Sequence, residues 1–328
     1  MNTECWQEKG LKYLCLENER VKVVFLPEIG GKMIEMINKM TGRQFLLPPS
    51  GEEKPYRPAF YGANFADYDA SGFDECFPTI SPSGYFAPAA AAHSPALFFP
   101  DHGELWSQPW RYEIAGDEVR LQAQGVRQGY LFTKKVSLRQ NKIILDYLLQ
   151  NSSPFPFSYI WAAHPLLRVT PGNKLLLPES IDRVLLNWVS DQQLGDFGTV
   201  LPWPALFAPG DPTDYSAVQN GSHNLAVKCF TFALDRGFAG VYYQDSDETL
   251  LFQFDPAAVP YLGVWLCYGG WPAEEPGKHF TVALEPSSGR PDSLEIAIER
   301  QECAHIGAGE QKQWRLEISL WEGRRVGD

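Results

Sequence analysis

The sequence predicts an all-β fold, a large sandwich of antiparallel strands, on three observations. Aromatic residues make up 13% of the 328 residues, with Trp 10, Tyr 14 and Phe 20, and aromatic side chains favour strands. Glycine (28) and proline (26) are frequent enough to supply turns throughout. Short apolar or alternating runs recur from end to end, and no long segment keeps helical spacing. The length alone would suggest two domains, but large all-β folds often exceed the usual domain size. Strand density is even and no linker interrupts it, so one domain over 1–328 is expected.

The elements follow in order. Val21 to Leu26 is an apolar run closed by Pro27 and Gly30-Gly31. Strands are expected at Val119 to Gln124 and Tyr130 to Leu138. Next, Ile143, Leu145, Tyr147 and Leu149 occupy alternate positions. Phe157 to Ala163 reads as a strand and Ile181 to Val189 as a short helix. Leu225 to Phe230, Gly240 to Tyr243, Leu250 to Phe254 and Tyr261 to Tyr268 continue the series. Near the end, Trp314, Leu316, Ile318 and Leu320 alternate with Arg315, Glu317 and Ser319. Asn151-Ser152-Ser153-Pro154, Pro171-Gly172-Asn173 and Asp255-Pro256 mark turns. Two long irregular connections are expected, Pro48 to Pro100 (with the low-complexity patch Ala89 to Ala92) and Asp191 to Ser222. Long loops in a compact β domain are usually functional or mobile. No propeller-type repeat is present.

The formal net charge of −12 argues against nucleic acid or an anionic membrane as partner. A small neutral substrate suits it, although acidity also simply keeps a protein soluble. The six cysteines include no C-x-x-C pair and no zinc-like Cys/His spacing. They read as reduced thiols of a cytoplasmic protein. Met1-Asn2-Thr3-Glu4 does not begin a signal peptide, and no uncharged apolar run reaches membrane-spanning length. No P-loop or Rossmann glycine motif is present.

Three motifs combine chemistry-bearing residues: Asp101-His102-Gly103-Glu104-Leu105-Trp106, Trp161-Ala162-Ala163-His164-Pro165, and Leu284-Glu285-Pro286 followed by Gly289-Arg290-Pro291-Asp292. In Phe280 to Glu285 the large apolar residues share one strand face, so Glu285 leaves on the face of the small residues Thr281 and Ala283. That face either borders a cleft or leaves Glu285 as a solvated strand-end carboxylate, and Pro286 is expected to end the pairing. His164, held extended by Pro165, is either a proton-transfer group or a core histidine. His102, in a polar loop, suits ligand contact or a surface ion pair. Asp74-Glu75 lies among aromatics, and Trp265 stands in Val264 to Trp271 beside Gly269-Gly270. Both segments suit a sugar pocket, where aromatic faces pack on C–H faces and carboxylates bind hydroxyls. Both are equally compatible with ordinary core and turn roles.

Together these segments resemble the aldose 1-epimerase (galactose mutarotase-like) superfamily, and are similar to its divergent bacterial branch. Asn18 to Phe45, with Pro27-Glu28-Ile29-Gly30-Gly31, looks like the family's first hairpin. His102-Gly103, His164 and Glu285 occur in the family's order, and Leu284-Glu285-Pro286 through Pro291-Asp292 resembles its late Glu motif. The family's Asn-Arg segment is not visible; Asp74-Glu75 and Asp101 to Glu104 occupy that region. The resemblance implies a β-supersandwich, no cofactor, and a monomer or homodimer acting on a small aldohexose. It implies Glu285 as general base, His164 as general acid, and His102 as a sugar-binding residue. Asp74, Glu75, Trp265 and Lys228 are expected to line the sugar site, and no metal is expected. Mutarotation needs a base for the anomeric hydroxyl proton and an acid for the ring oxygen, which a carboxylate and an imidazole supply near neutrality. Three alternatives stay open: a non-catalytic carbohydrate-binding or sensing protein, a hexose-6-phosphate mutarotase, and a glycoside hydrolase or lyase. A hydrolase needs two carboxylates about 5–9.5 Å apart, which Glu285 with Glu75 or Asp74 would supply.

Overall fold

The computed structural model describes residues 2–49, 56–85, 97–191, 194–206, 213–272 and 278–327. Two large sheets dominate it, and the pairing within each is antiparallel. The first has twelve strands. Its order is Asn2–Glu8, Leu11–Glu17, Val21–Leu26, Lys32–Asn38, Phe73–Cys76, Ala162–Leu167, Phe280–Ser287, Tyr261–Tyr268, Leu225–Thr231, Arg183–Val189 and Val200–Pro202. The short Arg43–Gln44 strand pairs with Lys32–Asn38. The second has eight, in the order Lys174–Leu176, Phe238–Tyr243, Glu248–Phe254, Gln311–Glu322, Lys142–Asn151, Tyr130–Arg139, Glu118–Gln124 and Arg111–Ala115.

The sheets share one core because their inward positions are apolar. Ile143, Leu145, Tyr147 and Leu149 are all buried, as are Trp314, Leu316, Ile318 and Leu320. Their register sets Tyr147 opposite Trp314, with the rings stacked at 5.4 Å and 11°. Such cross-strand aromatic pairs contribute roughly 0.2–1 kcal/mol each relative to an Ala–Ala pair. Across the gap between sheets, Phe77 meets Phe132 at 5.5 Å.

One ionic cluster crosses this core. Glu75, on Phe73–Cys76, accepts from Lys134 Nζ at 3.1 Å, Tyr147 OH at 2.9 Å and Trp161 Nε1 at 2.9 Å. Lys134 also donates to the Gly31 carbonyl at 3.0 Å. Lys134 and Tyr147 belong to the second sheet, so Glu75 ties the two layers together.

Several expected elements differ. Ile181 to Val189 is not a helix: Arg183–Val189 is a strand, with Val184, Leu185 and Leu186 buried in succession. A short apolar run does not by periodicity distinguish a doubly buried strand from a helix. Phe157 to Ala163 is split, since Phe157–Tyr159 pairs with Ala304–Ile306 and Ala162–Leu167 joins the large sheet. Pro286 does not end its strand; it pairs with Leu262, and the strand runs to Ser287. The Pro48 to Pro100 connection contains Phe73–Cys76 in mid-sheet, besides Ser83–Tyr85 and Leu97–Phe99. Ala89 to Ala92 lies outside the described residues. Among those residues the α-helix is Leu294–Glu299, capped by Ser293, and no helix is long and apolar enough to cross a membrane.

Candidate active site

Five adjacent strands of the large sheet build a site on its outer face. The register that pairs Ala162 with Ser287 and Leu166 with Ala283 sets His164 opposite Glu285. On the far side of His164 stands Asp74, and on the far side of Glu285 stands Gly263. A Cβ at Gly263 would come within 3.2 Å of both Glu285 and the Lys228 stem. The missing side chain leaves room for Lys228, one strand further on, to reach back to Glu285.

Lys228 Nζ donates to Glu285 Oε2 and lies 3.8 Å from Asp292 Oδ1. Glu285 Oε1 lies 3.9 Å from His164 Nε2 and has no hydrogen-bond partner. Asp292 follows the same strand. Its Oδ2 accepts from Asn187 Nδ2 at 2.7 Å and its N–H donates to Asn187 Oδ1 at 3.1 Å, while Oδ1 has no hydrogen-bond partner. Two carboxylate oxygens are thus left for a ligand's hydroxyl groups.

The opposing wall comes from the Pro100–Trp106 loop. His102 adopts φ +58° and Gly103 φ +73°, the left-handed region that a non-glycine residue enters at a cost. The conformation is pinned by His102 N–H to Ile80 O (2.6 Å) and Glu104 N–H to Phe77 O (2.6 Å). The buried Glu104 carboxylate anchors the loop from below, accepting from Tyr130 OH and from the N–H groups of Val126 and Arg127. The His102 ring stacks on Phe65 at 4.1 Å, and its Nδ1 lies 3.0 Å from Asp101 Oδ1. Asp101 Oδ2 accepts from the Phe65 N–H at 3.0 Å. His102 and His164 meet edge to face at 5.0 Å.

These walls enclose a cavity of about 190 Å³ lined by Phe65, His102, His164, Lys228, Trp265 and Glu285, among others. That is below the ~300–1,000 Å³ typical of drug-sized ligands and suits a single small ring. Burial pushes the Glu285 carboxyl upward, and the adjacent Lys228 pulls it back only in part. Burial and the Lys228 charge act in the same senses on Asp292, which also ends up raised. Burial, together with the neighbouring cations of His102 and Lys228, drives His164 well below the usual imidazole value, so it is neutral near pH 7. For His102 burial is outweighed by Asp101, and the imidazole is raised. Lys228 is held charged against burial by Glu285 and Asp292.

The structure brings together Glu285, His164, His102, Lys228 and Trp265 as the sequence suggested. It does not bring Asp74 or Glu75 to the cavity. Asp74 is fully buried beneath the site, in an ion pair with Lys32 Nζ at 3.0 Å, and Lys32 also holds Asp69 at 2.6 Å. Burial pushes Asp74 up to about 6 against the pull of Lys32. Glu75 points from the opposite face of the same strand into the inter-sheet core, so strand alternation separates it from the cavity. Phe65, Asn187, Trp188 and His279 were missed, and Asp101, Trp271 and Asp292 were seen only within their motifs. The Pro291-Asp292 pair trailing Glu285 was the one signal for Asp292. Asn187 and Trp188 were hidden by the helix reading.

The fold of these two sheets is that of the galactose mutarotase-like proteins. A galactose mutarotase-like protein from Clostridium acetobutylicum superposes with a TM-score of 0.69 at 13% identity, covering 98% of each chain. Another, from Lactobacillus casei, gives 0.67 at 14%, covering 94% of this chain and 100% of that one. A galactose mutarotase related enzyme from Lactobacillus acidophilus gives 0.65 at 13%, covering 96% and 100%. At these identities the likeness is one of fold, and activity has to be argued from the site. Residues 3–98 match a domain of unknown function, DUF5107. No curated protein matches the chain in sequence.

Proposed function

We propose that the protein is an aldose 1-epimerase that interconverts the α and β anomers of a free hexose by ring opening and closure. One observation carries this reading: the unpartnered Glu285 Oε1 faces His164 Nε2 at 3.9 Å in a cavity with aromatic walls. A sugar with its anomeric carbon there would give its hydroxyl proton to Glu285. The ring oxygen, bonded to the same carbon, would take a proton from His102. The resting proton belongs to His102, because Asp101 supports it there. His164, neutral and beside Glu285, would hydrogen-bond the sugar at the anomeric centre. This modifies the expectation that His164 is itself the resting acid. Each proton-transfer partner contributes typically ~10²–10⁴-fold. Asp292 Oδ1 is placed to accept from a ring hydroxyl, and Trp265 offers a face for the C–H side of the ring.

The charge pattern favours a neutral hexose over a hexose 6-phosphate. Lys228 is already engaged by two carboxylates, and Arg290 is buried against Glu302 at 2.6 Å. The Lys228 contact also supports a second reading, a sugar-binding protein without turnover, because an ammonium on Oε2 lowers the basicity of the carboxylate. Polarimetry separates the two. Freshly dissolved α-D-glucose and α-D-galactose are followed with and without protein. Acceleration that disappears in Glu285→Gln is expected. Binding by calorimetry with no acceleration would select the second reading, and near wild-type turnover in Glu285→Gln would remove Glu285 as the base.

A further inference from the structure

We propose that Lys228 and Asp292 are positioning residues that set the strength of Glu285 as a base. The ammonium holds Glu285 ionised in the closed site and passes to Asp292 as Glu285 takes the anomeric proton. The inference rests on the mutarotase reading above and deepens it, from which residue is the base to what makes it one.

A buried base has to be charged before the reaction and neutral once the proton arrives. Burial opposes the first state, and an ammonium fixed on the carboxylate opposes the second. A lysine placed between two carboxylates meets both demands. Lys228 Nζ donates to Glu285 Oε2 and lies 3.8 Å from Asp292 Oδ1, an oxygen with no hydrogen-bond partner. A charge-assisted N–H···O bond is about 2.8 Å long, so a move of about 1 Å carries the ammonium across. After burial itself, the two neighbours act on Glu285 in opposite senses: Lys228 lowers its carboxyl and Asp292 raises it.

The lysine is free to make this move and the aspartate is fixed to receive it. Across the ladder Lys228 faces Trp265, whereas Phe230 faces Gly263. Lys228 therefore leans along its own strand, with Nζ 5.3 Å from the Phe230 ring centroid, into the gap that Gly263 leaves. Asp292 is clasped by Asn187, which binds its Oδ2 at 2.7 Å and its N–H at 3.1 Å. The ladder between Arg183–Val189 and Leu225–Thr231 slips between Leu186 and Trp188, and such a bulge re-aims side chains. Asn187, left outside the pairing, is thereby free to hold Asp292. The Asp292 side chain keeps 18% exposure and that of Glu285 none, so water supports the anion that remains on Asp292. A carboxylate oxygen accepts more than one hydrogen bond, so Oδ1 also keeps the ring-hydroxyl contact proposed above. From the other elements Glu285 is faced by His164, by His102 paired with Asp101, and by the Cys76 thiol, which burial keeps neutral; Asp74 is paired with Lys32. That leaves Asp292 as the second carboxylate on Lys228.

The test is the pH profile of kcat, measured by polarimetry on glucose and galactose, for wild type, Asp292→Asn, Lys228→Met and the double variant. In Asp292→Asn the ammonium stays on Glu285, so the acid limb moves to lower pH by about one pH unit and the plateau falls. In Lys228→Met, Glu285 faces Asp292 alone and the limb moves to higher pH. The double variant places the limb between those of the two single variants. A structural or purely sugar-binding role for Asp292 would lower kcat or raise KM with the limb in place. That result overturns the proposal, as does a double variant whose limb lies outside the two singles. If Lys228→Met does not fold, the direction of the Asp292→Asn limb decides. If no sugar is turned over, the mutarotase reading fails separately. The Glu285 carboxyl is then titrated by carbon-13 NMR in wild type and Asp292→Asn, its resonance assigned by its loss in Glu285→Gln. A lower midpoint in Asp292→Asn upholds the control of Glu285 by the Lys228–Asp292 pair, and an unmoved or raised one rejects it.

Discussion

His102 and His164 carry the same side chain 5.0 Å apart and are pushed in opposite directions. Both are largely buried. What separates them is that His102 has an aspartate on Nδ1, whereas His164 Nδ1 has no hydrogen-bond partner and its neighbours His102 and Lys228 are cations. For the proposed mutarotase the expected consequence is a bell-shaped pH profile of turnover. Glu285 must be ionised, so activity falls as pH drops through its raised value, on the high side of 4.5. His102 must be protonated, so activity falls as pH rises through its own raised value, above 6.5. His102→Asn is expected to lower kcat and abolish the alkaline limb; an unchanged limb would move the proton-donor role off His102. The identities of these groups were legible in the sequence, because Glu285 leaves a strand on its small-residue face and His102 sits in a polar loop. Their charge states were not, since they depend on which side chains from distant strands end up adjacent.

At the level of elements, the Pro100–Trp106 loop depends on one residue, Gly103. A Cβ on Gly103 would lie 2.1 Å from the Phe77 carbonyl oxygen at a φ of +73°. Gly103→Ala must therefore shift the backbone next to His102. A displacement of about 1 Å at a catalytic group costs on the order of 100-fold. That loss of turnover is expected with a folded, sugar-binding protein, and full activity in the variant would show that the loop does not position His102. The DHGELW motif marked this loop from the sequence alone. The Arg183–Val189 strand was hidden because its consecutive buried residues Val184, Leu185 and Leu186 erase the alternation that betrays a half-exposed strand. Asn187 and Trp188 were lost with it, and a bulge has no periodic signature at all.

For the whole molecule, the two sheets are joined by apolar packing and by the Glu75–Lys134 contact at 3.1 Å. Glu75→Gln leaves the Lys134 ammonium buried and uncompensated, which typically costs ~3–5 kcal/mol. Urea denaturation is expected to register that loss while the folded variant binds sugar as wild type does. Weakened sugar binding by fully folded Glu75→Gln would return Glu75 to the site. The all-β architecture was readable from aromatic content, turn residues and alternation. The face on which Asp74 and Glu75 project was not, because both directions are lined with aromatics.

The order of the site strands holds a further consequence. Read across the sheet, the cavity takes His164, Glu285, Trp265, Lys228 and Trp188 from five neighbouring strands, of which Tyr261–Tyr268 and Phe280–Ser287 alone are consecutive along the chain. The hairpin that carries Trp265 and Glu285 lacks His164, His102 and Lys228. Non-local pairings of this kind form slowly, since each closes a long loop before it is rewarded. During refolding, far-ultraviolet signals of strand formation should therefore recover ahead of sugar binding and of the proposed turnover, either of which would serve as a clock for the last strand to dock.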